Sequence, residues 1–132
     1  MPEASNVQIR RATEGDIPEV AKLVADYFGD EAWLTDRLVK TWKNWAIFVA
    51  VSDRIVGIAA AEQDYDLTGK PTFHLLHLYI QPEFRGLKLL KSLVESVTNL
   101  GSTVWTMAPC TEAHIRMARM FGFHQVGAVM SR

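Results

Sequence analysis

The chain has almost no cysteine: Cys110 stands alone among 132 residues. A lone cysteine excludes an internal disulfide and any cysteine-based metal cluster, and no metal site is expected. Long apolar runs are also missing. The longest, Ala46 to Val51 and Ile55 to Ala61, fall far short of the roughly 20 residues that span a bilayer. Neither sign of charge dominates, because fourteen Lys and Arg face fifteen Asp and Glu for a formal net charge of −1. That balance gives no global attraction to nucleic acid or to an anionic membrane. The opening residues, with Pro2, Glu3 and Ser5 ahead of any apolar stretch, lack the charged start and apolar centre of a signal peptide. A cytoplasmic protein is the resulting expectation.

What is present is the composition of a soluble globular protein, 48% hydrophobic and 22% charged, in a length suited to a single domain over residues 1–132. Val7 to Arg11 alternates as a short strand. A helix should follow, with Asp16 and Glu19 as a capping box, Pro18 in the first turn, and Ile17, Val20, Leu23 or Val24, and Tyr27 at helical spacing. Ala32 to Trp45 carries a weaker helical pattern. Ile47 to Val51 and Ile55 to Gln63, separated by Ser52-Asp53, read as a hairpin, and Thr72 to Ile80 as the next strand. Leu87, Leu90, Leu93 or Val94, Val97 and Leu100 form one apolar stripe, which predicts a helix from Gly86 to Leu100 with Gly101 as its C′ residue. Beyond it, Ser102 to Met107 reads as a strand, Pro109 to Thr111 as a break, Glu112 to Phe121 as a helix ended by Gly122, and Phe123 to Met130 as a closing strand. The order is strand, two helices, three strands, helix, strand, helix, strand: an α/β chain whose mixed sheet has one parallel pair.

The most informative segment is Leu78-Tyr79-Ile80-Gln81-Pro82-Glu83-Phe84-Arg85-Gly86, in which a strand passes through a tight loop into a helix start. Such a junction aims free backbone N–H groups and the positive end of a helix dipole at one point, which suits a pyrophosphate. The same segment resembles motif A of the GCN5-related N-acetyltransferases, the GNAT superfamily. Ile9-Arg10-Arg11-Ala12-Thr13 followed by Asp16-Ile17 resembles the family's first strand and helix, and Gly122-Phe123 its helix-to-strand signature. The order of elements is also the family's, except that the usual seventh strand is short or missing. That truncated edge is either covered by a partner in a homodimer or left short. The brevity and the loop further resemble small phage-encoded acetyltransferase-like proteins, which would place the chain in a host cytoplasm.

The resemblance implies acetyl-CoA as co-substrate, with its pyrophosphate on the backbone of Phe84, Arg85, Gly86, Leu87, Lys88 and Leu89, helped by the Arg85 and Lys88 side chains. Leu78, Tyr79 and Ile80 would flank the pantetheine arm, and the Leu78 backbone would polarise the thioester carbonyl. Two positions depart from the motif: Lys88 and Leu90 stand where small residues are customary. Lys88 either offers a charge to phosphate or is a solvated helix residue, and Leu90 either shifts the helix or is absorbed in the core.

Direct transfer of acetyl to an amine needs a base, since an ordinary amine with a pKa near 10.4 is protonated at neutral pH. His77 lies where many GNAT enzymes carry a glutamate base, and its imidazole suits proton uptake at pH 7. The competing reading makes it a half-buried strand residue bonded to a neighbour, with His74 and Glu62 as weaker bases. The family's usual proton donor to the leaving thiolate, a tyrosine four residues before the glycine of Gly-Phe, is replaced by Ala118. Tyr79, Ser92 and Cys110 are the substitutes, with Tyr79 placed beside His77 as a catalytic candidate. Trp33 and Trp42, on the second helix, could line an acceptor pocket or be core. Two functions stand: an N-acetyltransferase acting on a small-molecule or protein amine, and a GNAT-fold binding or virion-associated protein that has lost turnover.

Overall fold

A computed structural model describes residues 6–105 and 112–124. The elements are β1 (Gln8–Arg11), α1 (Ile17–Phe28), α2 (Glu31–Thr41), β2 (Trp45–Val51), β3 (Ile55–Tyr65), β4 (Pro71–Ile80), α3 (Leu87–Thr98), β5 (Ser102–Trp105) and α4 (Glu112–Met120). The expected closing strand and the break at Pro109 to Thr111, with Cys110, lie outside the described residues beyond Phe123-His124 and Trp105. No described helix is long and apolar enough to cross a membrane.

The sheet runs β1-β2-β3-β4-β5. Its first four strands pair antiparallel, and β4 with β5 is the parallel pair. Ile55 to Ala61 is a continuous buried run, the signature of a central strand covered on both faces. One face packs Ala59, Ala61, Phe73, Leu75 and Ile80 against Leu89, Leu93, Val94 and Val97 of α3. The other packs Ile47, Val49, Ile58 and Ala60 against Val20, Leu23 and Val24 of α1, with Leu34 and Leu38 of α2 alongside.

Three details differ from the sequence reading. Asp16 does not box with Glu19; its carboxylate reaches back to the Thr13 N–H at 2.8 Å and to Arg10 Nη1 at 2.7 Å. Glu19 instead accepts from the backbone N–H of Ile55, tying α1 to the head of β3. The capping box is therefore one turn earlier, on the short 3-10 turn Glu14–Asp16 that leads into α1. The second helix also stops sooner than expected, at Thr41, because Trp42–Asn44 tightens into a 3-10 turn and Trp45 already belongs to β2. At the far end of α3 the cap is Asn99 rather than Leu100, so Gly101 falls one residue beyond C′.

Candidate active site

Strand β4 positions the candidate residues, and a bulge decides where they point. Pairing runs Ala60 with His77 but Ala61 with Leu75, so Leu76 is an extra residue in β4. Phe73 and Leu75 pack toward α3 before it, and Leu78 and Ile80 do so after it. His77 and Tyr79 thereby face the α1 and α2 side, where Tyr79 joins that cluster. A strand in strict alternation from Leu75 would have sent both into the α3 core.

His77 opens on a cavity of about 280 Å³ between α1, α2 and the sheet. Ile47, Ile58 and Ala60 form its inner wall, and Trp33, Leu34 and Arg37 of α2 flank it. The Trp45 ring lies 5.9 Å from the imidazole, tilted by 38°. Burial pushes the His77 pKa below its ordinary value, because an apolar wall solvates an imidazolium poorly. That shift favours the neutral form of the ring. Trp33 lines this cavity; Trp42 packs against the neighbouring core.

The junction after β4 is fixed from below. Phe84 is buried within the short turn Pro82–Phe84 and anchors it to the α3 cluster. Gln81 donates its N–H to Val56 O at 2.8 Å, and Arg54 Nη2 donates to Gln81 Oε1 at 2.9 Å. Arg85 folds back: its Nε donates to Ile80 O at 2.9 Å, and its guanidinium lies 5.8 Å from the centre of the Tyr79 ring. Helix α3 then begins at Gly86 with no side-chain cap, and Leu90 N–H is already bonded to Gly86 O. The earlier N–H groups, of Leu87, Lys88 and Leu89, belong to the part of a helix that has no internal partner.

Of the expected cofactor-binding residues, Gly86, Leu87 and Lys88 are exposed, while the side chains of Ile80, Phe84 and Leu89 are buried. Those three can contribute only backbone. A Cβ at Gly86 would meet nothing within 4 Å, so no described atom crowds the Gly86 backbone on that side. The two departures from the motif do not crowd it: Lys88 is exposed, and Leu90 packs into the α3-side core. The residues present therefore fit a pyrophosphate at this junction.

The other candidates separate. His74 and Glu62 face each other across β3 and β4 at exposed positions and are not part of the cavity wall. Ser92 sits on α3 with its hydroxyl donating to Lys88 O at 2.9 Å. Ala118 is buried, and its carbonyl accepts the N–H groups of Phe121 and Phe123 at the helix end. Arg37, Ala60 and Trp45 escaped the sequence reading. The one available signal was the apolar spacing itself, Phe73, Leu75, Leu78, Ile80, which changes phase at Leu76.

Residues 17–123 match the model of the acetyltransferase (GNAT) family. The chain belongs to this family of acetyl-CoA-dependent acetyltransferases. Its fold is close to that of solved acetyltransferases. A ribosomal-protein-alanine N-acetyltransferase from Brucella melitensis superposes with a TM-score of 0.77 at 18% identity, covering 96% of this chain and 98% of that one. Glucosamine-6-phosphate N-acetyltransferase from Arabidopsis thaliana gives 0.74 at 14% identity, over 96% and 97%. An aminoglycoside N-acetyltransferase in complex with CoA gives 0.78 at 19% identity, over 96% and 93%. A sequence search of curated proteins finds no match.

Proposed function

We propose that this chain, acting as a single domain, transfers acetyl from acetyl-CoA directly to a small-molecule amine, with His77 as base. One observation carries the reading: a single strand turns His77 toward a largely apolar cavity while its end leads into a helix start with no side-chain cap.

Acetyl-CoA, when bound, supplies an activated thioester. The N–H groups of Leu87, Lys88 and Leu89 hold its pyrophosphate, and the Lys88 ammonium adds a charge from the exposed side of the helix. Arg85 acts differently from the expectation for a phosphate clamp. Its Nε is committed to Ile80 O and its guanidinium lies over the Tyr79 ring, so it also holds the turn and that ring in place. The Leu78 backbone N–H polarises the acyl carbonyl, and Ile80 flanks the arm through its backbone. A ring nitrogen of His77 takes the proton from the attacking amine, and the Tyr79 hydroxyl gives one to the departing thiolate. Tyr79 is preferred over Ser92 because it shares the His77 face of β4, whereas Ser92 is on the opposite side of the sheet.

Calorimetric titration with acetyl-CoA tests the reading. Micromolar affinity, near −8 kcal/mol, is expected. Absence of binding at millimolar ligand overturns it.

A further inference from the structure

The cavity beside His77 carries an inference about the acceptor, which rests on the acetyltransferase reading and sharpens it. Among the described residues its wall contains no Asp or Glu. The apolar lining comes from all three layers, with Val20 and Val24 from α1, Leu34 and Leu38 from α2, and Ile47 and Ile58 from the sheet. Besides His77 and the Trp33 indole, three side chains with polar atoms touch it, and two of these are bonded to each other. Thr41 Oγ1 donates to Arg37 O at 2.7 Å and accepts from Trp45 Nε1 at 3.0 Å, so the hydroxyl proton and the Trp45 indole N–H are both already used. The third is the Arg37 guanidinium, an exposed group 5.7 Å above the Trp33 ring. No ion pair of Arg37 exists among the described residues.

A polycationic acceptor would bring positive charges to an apolar wall that has no carboxylate and carries a cation at its rim, an arrangement that costs desolvation without compensation. An apolar body gains from the same wall. A single amine entering it is also pushed toward its neutral, nucleophilic form by the lack of counter-charge, which reduces the work left to His77.

We propose that the acceptor is a primary amine with a compact apolar body and no second positive charge, and that Arg37 favours an acidic group at the end remote from the amine. The covalent step remains ordinary acetyl transfer: the amine nitrogen bonds to the acyl carbon, the carbon–sulfur bond breaks, the amine's proton goes to His77, the Tyr79 hydroxyl protonates the thiolate, and solvent returns the proton from His77 to Tyr79.

The test compares phenethylamine, its para-carboxylate analogue and spermidine on the full chain, by initial rates and by quenching of intrinsic tryptophan fluorescence without acetyl-CoA. Expected is an order of carboxylate analogue, then phenethylamine, then spermidine, in both readouts. Arg37→Glu should erase or reverse the KM preference for the carboxylate analogue over phenethylamine by about ten-fold, as fits the loss of a charged hydrogen bond. Preference for spermidine, failure of both aromatic amines to bind, or an unchanged preference in Arg37→Glu would overturn the proposal. Acetyl-CoA titrated in parallel keeps the two readings apart: if it binds while the aromatic amines do not, the acceptor inference alone fails.

Discussion

The two faces of the sheet are built from the same kinds of residue and do opposite things. The α3 face is filled: Phe84, Leu89, Leu93, Val94 and Val97 meet Phe73, Leu75 and Ile80 in a continuous core, and even Leu90, in a position the family gives to a small residue, is absorbed there. The α1 and α2 face holds Val20, Ile47 and Ile58 just as tightly, yet leaves a cavity of about 280 Å³. The difference lies in side-chain size at the level of His77. Ala60, its partner across β3 and β4, offers only a methyl group, and the room that a larger residue would occupy is where the proposed acceptor would sit. One face is thus spent on holding a helix start rigid, and the other on being incompletely packed beside a titratable group.

The sharpest way to break this contrast is to remove His77. His77→Ala should lower kcat by roughly 10²- to 10⁴-fold, the usual range for a positioned base, with acetyl-CoA affinity unchanged by calorimetry. The wild-type rate should fall on the acid side of a pKa lower than that of a free imidazole, because burial depresses it. Loss of that limb in the variant identifies His77, and a limb that persists removes it. The same shift has a consequence for stability, with its sign set by linkage. The folded pKa is depressed, so the unfolded chain binds the proton more readily. Stability is fully present above the unfolded value near 6.5 and declines as the pH falls through the folded one. In urea melts, His77→Phe should flatten this dependence.

Phe84→Ala attacks the filled face. Deleting a buried aromatic costs about 3 kcal/mol or more, read as a lower midpoint in urea. Acetyl-CoA affinity should fall with it, since Phe84 anchors the turn before α3. Affinity that survives would detach the turn from cofactor binding. Filling the open face is gentler. Ala60→Leu should raise the acceptor KM several-fold and leave acetyl-CoA binding alone, at an overpacking cost of about 1–3 kcal/mol; equal losses for both ligands would contradict the division of labour between the faces. The smallest effect is expected at the entry to α1. Asp16→Asn weakens the link to Arg10 and the Thr13 N–H, which should cost about 1 kcal/mol without altering kcat. The Asp16 carboxyl is held below the ordinary carboxylate range, chiefly by its bond to Arg10. Its contribution is therefore present above the unfolded carboxylate pKa and is lost as the pH drops through the depressed folded one.

Several features were legible before any coordinates. Helix α3 followed from its leucine and valine stripe, and the β2–β3 hairpin from β-forming runs around Ser52-Asp53. The strand-loop-helix junction at Leu78 to Gly86 carried both the family resemblance and the expected cofactor cradle. The capping of α1 was misassigned because Asp16 and Glu19 have the right local spacing, whereas the actual partner of Glu19 is the Ile55 N–H across 36 positions of sequence. The base candidate His77 was named from its place before Leu78-Tyr79, but its direction was not readable. Alternation tells which residues share a face, and an inserted residue such as Leu76 shifts that phase without marking which face is which.

By itself, the sequence determined what depends on neighbours along the chain: the kinds and order of elements, the position of the helix start after Gly86, and the presence of a histidine and a tyrosine two residues apart on one strand. Tertiary structure alone decided that Leu90 would be buried, that Arg85 would turn back to Ile80, and that Arg37, Ala60 and Trp45 would meet around His77. These outcomes arise because side chains distant in sequence compete for the same volume and the same hydrogen-bonding groups, and that competition is settled only when the layers close.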